Sequence, residues 1–221
     1  MRKNKLEVFV FALILIFIVM HGLFRHDSIF AVISAICGIS YTFIAGKGKP
    51  VCYLFGLTGS GFYCYLSFMS ALWGNLLLYA LYYIPMQILG FFRWNKNLKE
   101  GRNDIVKISL PAKEMQTLIV IMILGTLFTF FILSYFKDMH PILDSITTVL
   151  SIGGMYLTVR RAIQQWIFWM GVNLLSLIMW FNVALSGERV WSTVIMWAVY
   201  LFLAIYFYIS WRKELNNLSK L

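Results

Sequence analysis

The sequence predicts an all-α integral membrane protein of eight transmembrane helices, and three observations carry that prediction. The 221 residues are 61% hydrophobic and 13% charged, with a mean hydropathy of +0.78, and no soluble domain of this length buries so much apolar surface. The apolar residues gather into eight runs of helix-spanning length. The basic residues sit in the short segments between the runs and fall almost wholly on one side, as the positive-inside rule requires.

The runs extend from Val8 to Phe24, Ile29 to Ala45, Val51 to Met69, Trp73 to Phe92, Met115 to Phe136, Ile142 to Val159, Ile163 to Leu185 and Val190 to Trp211. With the N-terminus in the cytoplasm, only Arg25, Lys137 and Arg189 of the 19 Lys and Arg are left outside. Shifting or dropping one run would scramble that division, so both termini are expected inside. The basic start, Arg2 to Lys5, has the character of a signal-peptide n-region. No small-residue cleavage site follows Met20-His21-Gly22, so the first run is expected to stay. The net charge of +10 is then a topology signal, and no nucleic-acid partner is expected. The one long loop, Asn95 to Glu114, is cytoplasmic and too short for a domain.

Several function classes are disfavoured. Cys37, Cys52 and Cys64 lie in apolar stretches and read as small core residues, not as a disulfide framework or metal cluster. Glu7, Asp27, Arg93 and Asp144 are near run ends, so no run carries an ionisable group at its middle. Proton- or sodium-coupled carriers normally need one there. His21, His26 and His140 fall at the outer interface. No acid/base pair, nucleophile with a base, or metal-ligand spacing appears, so neither an enzyme nor a cofactor is expected.

The chain also repeats itself. Tyr53-Leu-Phe-Gly56 matches Trp166-Ile-Phe-Trp169 at a spacing of 113, which also pairs His26-Asp27 with Met139-His140; after a small insertion Phe92-Arg-Trp94-Asn-Lys96 overlies Ile209-Ser-Trp211-Arg-Lys213. The expected organisation is an accessory helix (1–26), a triple-helix repeat (27–97), a loop and linker helix (98–139), a second triple-helix repeat (140–213) and a cytoplasmic tail (214–221). A single linker helix keeps both halves in one orientation. Such parallel repeats are a transporter architecture, with substrate expected between the halves near the midplane.

Two runs carry residues suited to a site. On the seventh, Trp166, Trp169 and Asn173 stand at i, i+3 and i+7, with Trp180 seven further on, so one face presents indoles and an amide. On the fourth, Tyr79, Tyr83 and Gln87 share a stripe with Gly90, Asn75 lies toward the outer end, and Pro85 is expected to kink the helix beside them. The bland reading is that Gln87 and Asn173 bond helix to helix and that Trp73, Trp94, Trp191 and Trp211 anchor at the interfaces. The functional reading is a flat, cationic ring stacked on indole and phenol, with its polar attachments held by amides.

The segment Leu81-Tyr-Tyr-Ile-Pro-Met-Gln-Ile-Leu-Gly-Phe-Phe-Arg-Trp94, followed by Gln165-Trp-Ile-Phe-Trp-Met-Gly-Val-Asn173, resembles the bacterial PnuC family of nicotinamide riboside transporters. Ala45-Gly-Lys-Gly-Lys49 and Trp211-Arg-Lys-Glu214 fit as well, so the similarity runs from about Asp27 onward. The resemblance implies a 3+1+3 parallel-repeat core of the SWEET type, homotrimers in the bacterial inner membrane, and facilitated diffusion of the vitamin B3 riboside, which phosphorylation inside the cell then traps. Thr58 and Gly59 depart from the family, whose members often carry an amide there. Thiamine, riboflavin and nucleosides are alternative cargoes, and a membrane assembly or signalling protein without transport is the alternative class.

Overall fold

The computed structural model describes residues 2–25, 29–69, 73–137, 141–185 and 191–218. Its regular secondary structure is helical. The elements are α1 (Arg2–Arg25), α2 (Ile29–Gly46), α3 (Cys52–Met69), a continuous α4, α5 (Ala112–Tyr135), α6 (Pro141–Val159), α7 (Gln165–Leu185) and α8 (Trp191–Leu218). Within α4, Trp73–Leu78 and Ile84–Lys96 are α-helical and Tyr79–Tyr83 forms a π-helical turn. Each helix coincides with one apolar run to within a few residues, except that α1 starts earlier and α4 and α8 continue into the basic segments that follow their runs. Among the described residues, five stretches are long and apolar enough to cross a membrane: Lys5–Phe24, Leu76–Lys96, Ala112–Tyr135, Pro141–Val159 and Val194–Asn217. The pairs His26-Asp27 and Met139-His140 lie outside the described residues, as do the side chains of Trp73, Asn75, Trp180 and Trp191.

The π turn follows from Pro85. Proline offers no N–H and its ring crowds the preceding turn, so the backbone before it opens into a wider ring. The Ile84 N–H accordingly reaches back to Tyr79 O, five residues away. The sequence predicts a distortion at this place, and the structure shows its form.

The chain divides into two compact units, Met1–Phe92 and Arg93–Leu221. In the first, α2 packs most extensively on α3. Phe11 of α1 stacks on Phe43 of α2 at 4.2 Å, and Lys47 pairs with Glu7. Glu7, just before the first run, is thereby paired near the helix end. In the second unit α6 packs on α5 and α7, and α7 on α8. Gly153 allows the α6 contact, because a Cβ there would meet Met122 Sδ at 2.7 Å and Phe168 Cε1 at 2.9 Å.

The turns after α2 and α6 are built alike. Gly48 (φ 71°) and Arg161 (φ 62°) each stand in the left-handed conformation. Gly48 N–H donates to Ala45 O and Lys49 N–H to Ile44 O; Arg161 N–H donates to Thr158 O and Ala162 N–H to Leu157 O. Both are Schellman caps, 113 residues apart in the sequence. Glycine adopts this backbone freely; arginine is held in it by a bond from its guanidinium to Val106 O at 3.0 Å.

The loop between α4 and α5 is tied down. Ile108 pairs with Ala162 as an isolated bridge, and Gln164 donates to Ser109 Oγ at 3.1 Å and to Leu110 O at 3.3 Å. Lys99 and Lys107 both grip Glu214 at the end of α8. Burial alone would depress Lys99, but bonding and attraction to Glu214 and Asp104 hold its amine above the usual lysine value. Beneath the loop, Trp94 and Trp211 are 0% exposed. Trp94 donates to Thr158 O at 2.9 Å, and Lys107 lies over the Trp211 ring. The belt role expected for these two tryptophans is therefore corrected: the loop covers them, and they are core.

Candidate functional site

In the second unit, Thr158 organises one wall. Its hydroxyl donates to Gly154 O at 2.8 Å and accepts Trp169 Nε1–H at 3.1 Å. Gly154 has no side chain, so the Trp169 ring lies against its backbone; a Cβ there would fall 3.1 Å from Trp169 Cε2. One ring face is thus seated on α6 with its N–H satisfied, while the residue as a whole is only half-buried. That is a fixed aromatic platform with surface to spare.

Trp166, on the same helix, is placed differently. Its ring packs against Phe207 and against the edge of Trp211, both at 5.5 Å, and is 2% exposed. It is core and not an open stacking surface, so the expected run of accessible indoles narrows to Trp169 among the described side chains. The buried Trp166 Nε1–H nevertheless has no hydrogen-bond partner there. One turn beyond Trp169, Asn173 is 5% exposed, and its amide has no partner among the described residues. An unpaired buried amide costs about 1–3 kcal/mol.

In the first unit the fourth-helix residues converge as well. Tyr79 packs against Tyr63 at 4.4 Å and Tyr83 at 4.7 Å, across the π turn. Gln87 is buried, and its Nε2 donates to Ser60 Oγ at 3.0 Å. This is a bond from helix to helix, α4 to α3. Close approach is secured by glycines: a Cβ at Gly56 would fall 2.8 Å from Tyr41 Cδ2, and one at Gly90 would fall 2.3 Å from Tyr53 Cζ. Asn75 is on α4, with its side chain outside the description.

The two units treat equivalent positions in opposite ways. Tyr41 of α2 fills the space beside Gly56 of α3, whereas 113 residues on, Trp169 of α7 fills the space beside Gly154 of α6. Ser60, which bonds Gln87, corresponds at the same spacing to Asn173. Gln87 corresponds at the later spacing of 117 to Ala204, which has no polar group. Gln87 therefore has a partner inside its unit, and Asn173 has none among the described residues. The described residues hold no group of three His, Cys, Asp or Glu that could bind a metal. A shallow depression on exposed α1, lined by Lys5, Val8, Phe9 and Ala12, carries none of these polar groups.

Apolar spans of helix-crossing length, a buried amide and a fixed indole define a polytopic helical membrane protein with a polar point inside its hydrophobic body. Residues 28–213 match the family described as Nicotinamide mononucleotide transporter, and the chain belongs to that family. It is 31% identical over 204 residues to the nicotinamide riboside transporter PnuC of Neisseria mucosa, covering 89% of this chain and 76% of that protein. Identity to the Haemophilus influenzae protein of the same name is 31% over 189 residues, covering 85% and 80%. A solved structure, the crystal structure of the vitamin B3 transporter PnuC, superposes with a TM-score of 0.81 at 30% identity, covering 94% of this chain and 91% of the other. The family's members are transporters and not enzymes.

Proposed function

We propose that this protein carries nicotinamide riboside across the bacterial inner membrane by facilitated diffusion. The observation that carries the reading is Asn173: a buried amide without a partner among the described residues, one helical turn from a partly exposed indole that the fold seats against Gly154. A pyridinium ring stacks favourably on indole, and its carboxamide offers the donor and acceptor that Asn173 lacks. The family's description speaks of the mononucleotide, whereas the similar curated proteins are named for the riboside. Physical chemistry favours the riboside. A phosphate would need Arg or Lys within the spans, and this sequence keeps such residues at the span ends.

In the second unit, Trp169 and Asn173 are the proposed substrate contacts, with Trp166 contributing at most its N–H. In the first, the proposal names Gln87, Tyr83, Tyr79 and Asn75. Gln87 keeps its bond to Ser60 and has one amide hydrogen left over. The wider proposal has eight spans with both termini cytoplasmic, an accessory first helix before a SWEET-like 3+1+3 core, and a homotrimer in the lipid bilayer. The matched Schellman caps support the repeat, and the charge distribution supports the topology.

Without an ionisable group in mid-span, neither a proton gradient nor a sodium gradient has a chemical handle on transport. In liposomes that contain no phosphorylating enzyme, with the membrane potential clamped at zero because the substrate is itself a cation, labelled nicotinamide riboside is expected to equilibrate and not to concentrate under any imposed proton or sodium gradient. Accumulation that follows either gradient would overturn the uniport reading.

A further inference from the structure

Gln165 is 1% exposed, and its Nε2 has no hydrogen-bond partner among the described residues. Its neighbour Gln164 is the opposite case: it bonds Ser109 and Leu110 and its Oε1 accepts Leu110 N–H at 3.1 Å. The loop therefore consumes one amide and leaves the other. Nor does the fold require an amide at this point. At the spacing of 113 the first unit carries Cys52 instead, 0% exposed, after an identically bonded turn. A buried N–H group without an acceptor among the described residues marks a place where an acceptor is missing.

The position of Gln165 says which acceptor. Gln165, Trp169 and Asn173 stand at i, i+4 and i+8 of α7, so the three share a stripe. Eight residues span about 12 Å of helix, the scale of a nucleoside laid along it. The stripe reads amide, indole, amide. Gln165 is the first residue of α7, where the helix end carries partial positive charge and disfavours a cation. A pyridinium then belongs further along, by Trp169 and Asn173, and the uncharged sugar belongs at Gln165. The atom left orphaned there is a donor, which suits a hydroxyl oxygen.

We propose that Gln165 is a further specificity-determining residue, donating from Nε2 to the ribose 5′-hydroxyl, the end of the substrate farthest from the pyridinium. The proposal rests on the nicotinamide riboside reading. The test uses the purified full-length protein and isothermal titration with nicotinamide riboside and its 5′-deoxy analogue. Gln165→Met keeps the side chain's length and removes the amide; Gln165→Glu keeps an acceptor and removes the donor. Without ligand, Gln165→Met is expected to unfold at the wild-type temperature or above, because an unpaired donor has gone. Its affinity for the riboside is expected to fall about tenfold, as loss of one hydrogen bond to a buried ligand does. For the 5′-deoxy analogue the wild type and both variants are expected to bind alike.

If both variants bind the riboside as tightly as the wild type, Gln165 is satisfied by water and the proposal is overturned. A lowered unfolding temperature with unchanged binding in the folded fraction overturns it too, by making the amide structural. A wild type that does not bind the riboside removes the functional reading beneath it, a different failure from loss of the Gln165 effect alone.

Discussion

Asn173→Leu is expected to weaken substrate binding by about 1–3 kcal/mol, roughly 5- to 150-fold, while leaving the unfolding temperature unchanged or raised. The asymmetry comes from its surroundings: the amide is buried without a partner among the described residues, so leucine removes a cost to the free protein. Gln87→Leu is expected to differ. It breaks the bond to Ser60 and leaves a buried hydroxyl behind, so thermal stability should fall, by about 1 kcal/mol. Trp169→Leu should hurt a pyridinium ligand more than its neutral reduced analogue, since cation–π attraction depends on the charge. Calorimetry and thermal unfolding on the same three variants separate these outcomes. Equal stability loss for both amides, with binding intact, would make Asn173 a tie between helices.

Gly90→Ala is expected to destabilise the first unit by about 3 kcal/mol, or to prevent accumulation of folded protein. An added Cβ would lie within 2.5 Å of both Tyr53 Cε1 and the phenol oxygen, and Tyr53 is 0% exposed, with no room to withdraw. Gly61→Ala is the control, since no atom lies within 4 Å of a Cβ built there. Expression and unfolding temperature of the two alanine variants, measured side by side, check the claim. Equal behaviour would mean that the α3–α4 contact is looser than described.

The eight helices were legible because a bilayer-length apolar run is a signal that tertiary context seldom overrides. Pro85 announced a break in regularity, though not that it would take the form of a π turn. The site residues were harder. Trp166 and Trp169 share one periodicity, and what separates them is Phe207 and Trp211, some 40 residues away, which enclose one ring and leave the other half-exposed. Gln87 and Asn173 likewise look equivalent as intramembrane amides until Ser60 is seen to bond Gln87, while the second-unit counterpart of Gln87 is Ala204, which has no polar group. Trp94 and Trp211 resembled interfacial anchors because hydropathy cannot see the loop that covers them. Gln165 stands in the same motif and, with Trp169 and Asn173, at a regular i, i+4, i+8 spacing. That regularity was the available signal.

The central claim is that the cargo is a cationic nucleoside without a phosphate. Equilibrium binding of nicotinamide riboside, nicotinamide mononucleotide and thiamine to the purified wild-type protein tests it most directly. The account predicts saturable binding of the riboside, with binding of the mononucleotide weaker by tenfold or more, since the spans offer its phosphate no cation. Tighter binding of thiamine than of the riboside, or equal binding of riboside and mononucleotide, would contradict it.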